Sequence, residues 1–589
     1  MARLLTIGAI LIVLTCALFW RVSGYEFVDW DDSDNITQNP LYRPLGTSHL
    51  SELWTVPYFA AYIPITRMLW AFLAGTSTSA TRSMIADFDP SVYHMANLVV
   101  HVLNVLLVFA VIRLLLTAAR VDKGRRLDIA AAFGAAIFAV HPLQVEPVAW
   151  VTGMKDVLCA AFSLLCLWFY LLQRDRTGAK STGLLVLSTI AYLLALLSKS
   201  SAATLPVIIV AIEAALWSRT DDRKLISPKL GGMIGLWLVA GVIIAIKTQQ
   251  AEAVTGIQVP RVPIWQRPFV MGDTLTFYLT KTILPLHLGP DYGRTPGWLM
   301  QHASAYAMIL VPIVFAVLCA ITRVHAKWPL VAFGIWFISI LPVSGLAPFD
   351  FQVFSTTADR YMYFAMLGIV LAVAGGLTTI SLRTATTVGT LVVAALVALS
   401  WRQIPVWSNS KSLFTQGVIV NPRSSASYMC LGHVLQAAGN LDGAIDDYRN
   451  AVSCNPDYGP AHGALGAALG QKWSASGTPA MGSPLLAEAQ SELEQSVALN
   501  KNFAEGHSNL GNIYFSQSRY ADALEQFQAS LKIAPDDPNV SYLTGISLLK
   551  LNKIDQGKKY ILQSAHDGYD PAIQFLKGSL SPQPGSPKS

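Results

Sequence analysis

Four aspartates stand within six positions directly after the first apolar stretch of the chain. They are Asp29, Asp31, Asp32 and Asp34 in the segment FVDWDDSDN, and the preceding residues 4–20 carry no charge. A carboxylate at a membrane surface can act as a general base toward the hydroxyl of a substrate. The same aspartates could instead form a solvated turn or cap a helix. The rest of the sequence has to decide between these interpretations.

Further ionisable residues stand at the outer ends of predicted membrane helices. Such groups are costly beside a bilayer and mark functional sites by default. Arg and Lys side chains could bind a phosphate, although Lys155-Asp156 could also be a simple ion pair and Lys199 a snorkelling lysine. The residues are His141, Glu146, Lys155 and Asp156 in HPLQVEPVAWVTGMKD, Lys199 in SKSSAAT, and Asp359 and Arg360 in ADRYMYF.

A polar stripe runs along one predicted helix. His94, Asn97, His101 and Asn104 are spaced by three, four and three residues, which places them on one helical face. Metal binding is conceivable, but Asn is a poor ligand for transition metals. Hydrogen bonds between helices are therefore the favoured interpretation. His94, nearest the outer loop, is the best candidate of the four for contacting a substrate.

The composition indicates a membrane protein. Of the 589 residues, 53% are hydrophobic and 13% are charged, whereas soluble domains carry about 25% charged residues. Basic residues gather in short loops, which indicates membrane orientation rather than nucleic-acid binding. The sequence contains no Walker loop, Rossmann glycine signature or H-E-x-x-H motif, so a nucleotide-driven transporter is disfavoured. Six cysteines, four of them in apolar stretches, indicate no disulfide framework.

Eleven apolar stretches are predicted to span the membrane, where about 20 apolar residues are needed. The loop charges put the amino terminus inside and everything after residue 401 outside. The stretch 269–288 then remains as an interfacial or re-entrant helix in an outer loop. The predicted spans are 4–20, 97–116, 128–141, 156–172, 183–198, 202–217, 231–247, 304–322, 328–347, 361–380 and 385–401. The basic loops are 120–126, 174–180, 219–224 with Lys229, and 323–327.

The carboxy-terminal part shows a repeat. Leu-Gly pairs end at Gly432, Gly466 and Gly511, and Gly545 takes the equivalent fourth position, so the spacings are 34, 45 and 34. The middle spacing is 34 plus an eleven-residue insertion within 474–484. This is the tetratricopeptide period, and stacked repeats form a concave surface for peptides or proteins; a mere spacer is the alternative. We predict an all-α chain with a transmembrane domain (1–401), a linker (402–420), a repeat domain (421–579) and a disordered tail (580–589).

The motifs, in their order along the chain, resemble the transmembrane and tetratricopeptide-repeat O-mannosyltransferases and their bacterial homologues, of the GT-C superfamily. The resemblance lies in FVDWDDSDNITQNPLYRPL, YHMANLVVHVLN, HPLQVEPVAWVTGMKDVL, SKSSAATLP and TADRYMYFAMLGI, followed by the repeats. Two positions depart from the family pattern: Met154 precedes Lys155-Asp156 where Arg is usual, and Ser200-Ser201 follows Lys199 where Pro-Met is usual. The resemblance implies eleven spans, repeats on the non-cytoplasmic side, and a catalytic base in the paired acids Asp31 and Asp32.

The resemblance further implies inverting transfer of a sugar, mannose or a similar hexose, from a polyprenyl-phosphate donor to a hydroxyl, expected to be Ser or Thr of a protein. Transfer to a lipid or glycan and a non-catalytic repeat scaffold are the alternatives. No resident cofactor or metal is expected, although the acids could hold a divalent cation. A bacterial inner membrane is the expected location, with the repeats periplasmic or extracellular. Lys155, Lys199 and Arg360 are expected to bind the donor phosphate, and His94, His141, Glu146, Asp156 and Asp359 to contact substrate.

Overall fold

The chain forms two compact helical units, Met1–Pro422 and Arg423–Ser589. Their secondary structure is almost entirely helical, which confirms the predicted all-α class. The computed structural model describes residues 1–42, 47–56, 61–77, 88–121, 124–174, 176–217, 228–254, 261–322, 325–476 and 482–580. The predicted basic loop 219–224 falls outside these residues, and so does the predicted tail except for its first residue.

The described part of the first unit contains eighteen α-helices, several of which are connected by short 3-10 turns. They are α1 (Ala2–Phe19), α2 (Thr47–Thr55), α3 (Pro64–Ser77), α4 (Pro90–Ala118), α5 (Arg125–Val140), α6 (Val145–Ala149), α7 (Met154–Gln173), α8 (Gly178–Ser198), α9 (Leu205–Leu216), α10 (Pro228–Val254), α11 (Arg267–Ile283), α12 (Pro296–Met300), α13 (Ala303–Ala307), α14 (Leu310–Thr322), α15 (Trp328–Ile340), α16 (Met362–Thr379), α17 (Leu382–Gln403) and α18 (Ser410–Val420).

The first unit is a multi-pass membrane bundle. Among the described residues, eight helices are long and apolar enough to cross a membrane, and a ninth span arises if the bent pair Arg125–Val140 and Pro142–Ala149 is counted as one. Two shorter apolar helices, Ser200–Leu216 and Trp328–Val343, occupy the remaining predicted stretches. Each of the eleven predicted stretches therefore coincides with an apolar helix, while the number that cross the bilayer stays a prediction. The stretch 269–288 forms α11, a 17-residue helix.

A break between α5 and α6 shapes residues 141–156, which are the second of the loops predicted to lie outside the membrane and are called the second outer loop below. Pro142 has no backbone N–H and disfavours helical backbone at the residue before it, so α5 ends at Val140 and the chain bends by 54°. The loop then folds back tightly, since a Cβ at Gly153 would overlap the carbonyl oxygen of Pro147. This compact path keeps Glu146 close to the start of α7.

The polar stripe of α4 makes the interhelical hydrogen bonds that its spacing predicts. Asn97 Nδ2 donates to the carbonyl of Trp150 at 2.7 Å. His101 lies 2.7 Å from the hydroxyl of Tyr363, and Asn104 Nδ2 donates to the same hydroxyl at 3.0 Å. All three stripe residues are completely buried. The stripe therefore ties α4 to α16 and to the second outer loop.

The predicted linker is a packed part of the first unit. Residues 402–420 contain α18, and its Leu413 and Phe414 are completely buried. The boundary between the two units follows at Pro422.

The residues around the start of α18 hold the acidic segment near the amino terminus. The backbone N–H of Glu26 donates to the carbonyl of Ser408 at 3.0 Å. The N–H of Asp29 donates to the Ser410 hydroxyl at 2.8 Å, across 381 positions of the sequence. The acidic segment is thus anchored by residues near the end of the first unit.

The second unit is built of paired helices, as the 34-residue period predicts. Its glycines allow close helix packing: a Cβ at Gly511 would lie 2.6 Å from a ring carbon of Phe527, and a Cβ at Gly466 would lie 2.6 Å from Leu493. The helices are α19 (Ser425–Ala437), α20 (Leu441–Cys454), α21 (Gly459–Ser474), α22 (Pro484–Leu499), α23 (Ala504–Ser516), α24 (Tyr520–Ile533), α25 (Pro538–Lys550), α26 (Ile554–His566) and α27 (Asp570–Leu580).

Candidate active site

Asp32 is the buried centre of the acidic segment. Its Oδ2 accepts from the N–H of Val28 at 3.0 Å, and its Oδ1 accepts from the N–H of Thr152 at 3.1 Å. The side chain is completely buried. Burial raises the pKa of Asp32 to about 7, against the opposing effect of these hydrogen bonds. Asp32 therefore connects the first predicted outer loop, which runs from Arg21 to about Met95, to the second outer loop.

Asp31 is more exposed and faces a cation. Its side chain is 27% exposed, and its Oδ2 lies 3.3 Å from Nζ of Lys155. The Lys155 ammonium also lies 5.0 Å from the centre of the Trp150 ring, a distance at which a cation is attracted to the aromatic face. Asp31 thus presents a carboxylate beside a fixed positive charge, with part of its surface open.

Lys199 pairs with the acid that follows Lys155 in sequence. Its Nζ lies 2.5 Å from Oδ1 of Asp156 and 5.5 Å from the centre of the Tyr361 ring. Burial lowers the pKa of Lys199, and the Asp156 carboxylate opposes that effect. The second oxygen of Asp156, Oδ2, is buried and has no hydrogen-bond partner within the described part of the chain. A carboxylate oxygen in this state is available to a ligand that donates a hydrogen bond.

Arg360 is held at the start of α16 by an acid from the second outer loop. Glu146 Oε1 accepts from Arg360 Nη1 at 2.6 Å, and Glu146 Oε2 accepts from the Arg360 backbone N–H at 3.0 Å. The guanidinium carbon lies 4.3 Å from the centre of the Phe351 ring and 5.0 Å from that of Tyr361. Both partners are buried. The adjacent Asp359 accepts from the Tyr292 hydroxyl at 2.6 Å.

A small pocket of about 50 Å³ brings three of the predicted residues together. Asp156, Lys199 and Arg360 line it, together with polar residues that include Ser201 and Tyr361. The lining also contains apolar residues, among them Ala160, Leu205, Val343 and Phe364. Charged groups and apolar side chains in one pocket suit a ligand that joins a phosphate to a hydrocarbon chain.

The paired acids of the first loop do not line this pocket. They join it through the second outer loop, where Asp31 contacts Lys155 and Asp32 contacts Thr152. Lys155 is followed directly by Asp156, which does line the pocket. The structure therefore brings the predicted base segment and the predicted phosphate-binding residues into one connected network.

The two predicted histidines lie in structural contacts. His94 is 1% exposed, and its Nε2 lies 3.3 Å from the carbonyl of Glu26. His141 accepts from the N–H of Leu143 at its Nδ1, so its Nε2 carries the proton that is donated to the carbonyl of Thr282 at 3.0 Å. Neither histidine, and neither Glu146 nor Asp359, lines the pocket. A direct contact of these four with a substrate stays a prediction.

Several neutral residues of the site were missed by reasoning that looked only for ionisable groups. Trp150 and Tyr361 stack near the cations, and each stands within five positions of a residue that the sequence did indicate. Tyr292 comes from residues 248–303, the fourth predicted outer loop, where the sequence indicated the apolar stretch 269–288 but no functional residue. Within the described residues no three His, Cys, Asp or Glu side chains converge as metal ligands, and the absence of a cofactor stays an expectation.

Comparison with known proteins agrees with both units. The family model of the tetratricopeptide repeat matches residues 504–537. Protein O-mannosyl-transferase TMTC3 of Mus musculus is 21% identical over 94% of this chain and 63% of its own length. Protein O-mannosyl-transferase F38B6.6 of Caenorhabditis elegans is 23% identical over 76% of this chain and 63% of its own, and Tmtc3 of Drosophila melanogaster is 24% identical over 92% and 66%.

The chain is similar to the TMTC protein O-mannosyl-transferases over most of its own length. It spans less than two thirds of the length of these relatives. Among solved structures, the tetratricopeptide protein YrrB aligns with 29% of this chain and 82% of its own at 16% identity, with a TM-score of 0.24. So low a score adds nothing to the fold described above.

Proposed function

We propose that this chain is a membrane glycosyltransferase that moves a sugar, mannose or a similar hexose, from a polyprenyl phosphate to a Ser or Thr hydroxyl of a protein. The observation that carries the proposal is the connected network at the outer loops. In it, the exposed acid Asp31 contacts Lys155, and the pocket beside them presents Lys199 and Arg360. The names of the relatives support the reaction class.

The pocket supplies the chemistry for the donor. Lys199 and Arg360 provide positive charge for the phosphate, and the apolar residues of the lining suit the first part of the polyprenyl chain. When the bond between the sugar and the phosphate breaks, negative charge grows on the leaving phosphate. Fixed cations in a site of low dielectric stabilise such charge strongly. Oδ2 of Asp156, which has no hydrogen-bond partner among the described residues, can accept a hydrogen bond from a hydroxyl of the sugar.

We assign the general base to Asp31 and a positioning role to Asp32. Both oxygens of Asp32 already accept backbone hydrogen bonds, and its side chain is completely buried. Asp31 is partly exposed, and its Oδ2 lies 3.3 Å from the ammonium of Lys155. Its carboxylate takes the proton of the acceptor hydroxyl as the new bond to the sugar forms. Attack from the side opposite the phosphate inverts the anomeric carbon, and no covalent enzyme intermediate is required.

The repeats favour a protein acceptor over a lipid or glycan. Stacked tetratricopeptide repeats present a surface suited to peptides and proteins, and such a surface has little use for a lipid. The charges of the predicted loops favour the non-cytoplasmic side for this surface and for the acidic segment. The proposed membrane is the inner membrane of a bacterium, with the repeats in the periplasm. A scaffold without catalysis would leave the network of buried charges without a purpose.

The test uses the full-length chain in lipid nanodiscs with radiolabelled polyprenyl-phosphate mannose and a Ser/Thr peptide library. Asp31→Asn should lower the rate of sugar transfer by about 10²–10⁴, the usual contribution of a general base. Asp34→Asn is the matched control, because Asp34 lies in the same cluster and is half-buried. Full activity of both Asp31→Asn and Asp32→Asn would overturn the proposal. Transfer to lipid but not to peptide would instead favour the lipid-acceptor alternative.

A further inference from the structure

The fourth outer loop holds the segment that carries Arg360. Tyr278 of α11 contacts Ala358 twice: its hydroxyl accepts from the Ala358 N–H at 3.1 Å and donates to the Ala358 carbonyl at 3.1 Å. Ala358 is completely buried, so its backbone groups depend on protein partners. One tyrosine hydroxyl therefore fixes the backbone two residues before Arg360.

A second tyrosine from the same loop fixes the side chain directly before Arg360. The Tyr292 hydroxyl donates to Asp359 Oδ1 at 2.6 Å, where Asp359 is buried and Tyr292 is partly buried. Tyr292 is itself placed by the N–H of Gly289, which lies 3.4 Å from its hydroxyl. Its ring packs edge-on against Phe277 of α11, with ring centres 4.7 Å apart.

A third contact holds Thr356, two residues before Ala358 in the same segment. The carbonyl of Arg294 accepts from the N–H of Thr356 at 2.9 Å. The Arg294 side chain forms an ion pair with Asp273 of α11. Residues 356, 358 and 359 are thus each held by α11 or by the segment that follows it, while Glu146 holds Arg360 from the second outer loop.

We propose that Tyr278 and Tyr292 are positioning residues for Arg360 and thereby set the affinity for the phosphate of the lipid-linked donor. This inference rests on the proposed function, since it takes Arg360 to be a ligand of that phosphate. The physical reason lies in the position of Asp359 next to Arg360. Without the Tyr292 hydroxyl, a buried Asp359 carboxylate loses a donor and turns toward the neighbouring guanidinium. It then competes with Glu146, and the guanidinium leaves its position at the pocket.

The measurement is the dissociation constant of polyprenyl monophosphate for the full-length chain in nanodiscs, together with the KM values of donor and acceptor. Tyr292→Phe should weaken binding of polyprenyl monophosphate and raise the donor KM by about tenfold, as the loss of one hydrogen bond to a buried group predicts. The acceptor KM should change less than twofold. Tyr278→Phe should act in the same direction and more strongly, because it leaves two buried backbone groups without partners.

Tyr306→Phe is the matched control. The Tyr306 hydroxyl bonds to Gln266 at 3.2 Å and to the carbonyl of Met300 at 3.4 Å, both within the fourth outer loop. Its loss should leave binding of polyprenyl monophosphate unchanged. If Tyr278→Phe fails to fold, Tyr292→Phe still decides the question, with thermal stability compared with that of Tyr306→Phe.

Variants of Arg360 separate the two proposals. Tyr292→Phe should have no further effect on polyprenyl monophosphate binding in an Arg360→Lys background, because the tyrosine acts through the guanidinium. An equal loss in both backgrounds would show that Tyr292 acts independently and would overturn the positioning role. If Arg360→Lys weakens binding while Tyr292→Phe does not, the positioning role alone fails. If Arg360→Lys leaves binding unchanged, the proposed role of Arg360 in phosphate binding fails as well.

Discussion

Replacing Glu146 by Gln removes the negative charge beside Arg360 while it keeps the size of the side chain. The two carboxylate oxygens of Glu146 accept from Nη1 and from the backbone N–H of Arg360, at 2.6 and 3.0 Å. A glutamine has one carbonyl oxygen, so one of these two contacts is lost and the guanidinium stays buried with less compensation. The substitution therefore tests how strongly Arg360, which is predicted to bind the phosphate, depends on Glu146.

The expected cost follows from burial. The side chains of Arg360 and Glu146 are 7% and 2% exposed, and removing one partner of a buried pair costs about 3–5 kcal/mol. Part of this is offset, because one hydrogen bond survives and the rings of Phe351 and Tyr361 still face the cation at 4.3 and 5.0 Å. We therefore expect a loss of about 2–3 kcal/mol in the free energy of unfolding.

The assay compares unfolding in mixed detergent micelles, followed by tryptophan fluorescence, with binding of polyprenyl monophosphate. Glu213→Gln is the matched control. Glu213 accepts from Arg174 at 2.8 Å and from the Tyr170 hydroxyl at 2.7 Å, but it does not line the pocket. It should lose stability and keep its affinity for the phosphate, whereas Glu146→Gln should lose both. Equal affinities in the two variants would refute the coupling between Glu146 and the site.

Three further predictions follow from single residues. Because burial raises the pKa of Asp32 to about 7, the Asp32 carboxyl group binds a proton more tightly in the folded chain than in the unfolded chain, and the free energy of unfolding should fall as the pH rises from about 4 to 7. Asp32→Asn should flatten that slope in a pH series of unfolding curves, and an unchanged slope would contradict the raised pKa of Asp32. Lys199→Gln should raise the donor KM by about tenfold or more, since a charge-assisted contact is lost, and an unchanged donor KM would remove Lys199 from the site. Gly511→Ala should lower the free energy of unfolding by about 1–3 kcal/mol through its clash with Phe527 and speed proteolysis of the repeats. Gly482→Ala should do neither, because no neighbour among the described residues lies within 4 Å of a Cβ at that position. Equal rates of proteolysis would show that the helices can separate.

Periodic features were predictable because they depend on local spacing. The α4 stripe follows from a three-four-three pattern of polar residues, which indicates one face of a helix. The paired repeats follow from glycines spaced 34 residues apart, with one eleven-residue insertion. The apolar stretches were predictable for a different reason, since a helix that crosses a membrane needs about 20 mostly apolar residues.

The partners of the charged residues were not predictable. Lys155 and Asp156 are adjacent in sequence, but successive positions on a helix point about 100° apart. Lys155 therefore reaches Asp31, and Asp156 reaches Lys199. Glu146 and Arg360 are 214 positions apart, a distance at which no spacing rule applies. Tyr278 and Tyr292 escaped notice because they are neutral, and the search for site residues considered only ionisable groups and periodic polar patterns.

The contact between Asp29 and Ser410 has a consequence for the order of biosynthesis. The acidic segment emerges from the ribosome among the first residues of the chain, but one of its anchors is made some 380 residues later. A nascent chain that stops before residue 408 lacks both backbone anchors of the segment. The site can therefore close only once nearly all of the helical bundle has been inserted, so unfinished chains should carry the acids without a finished active centre.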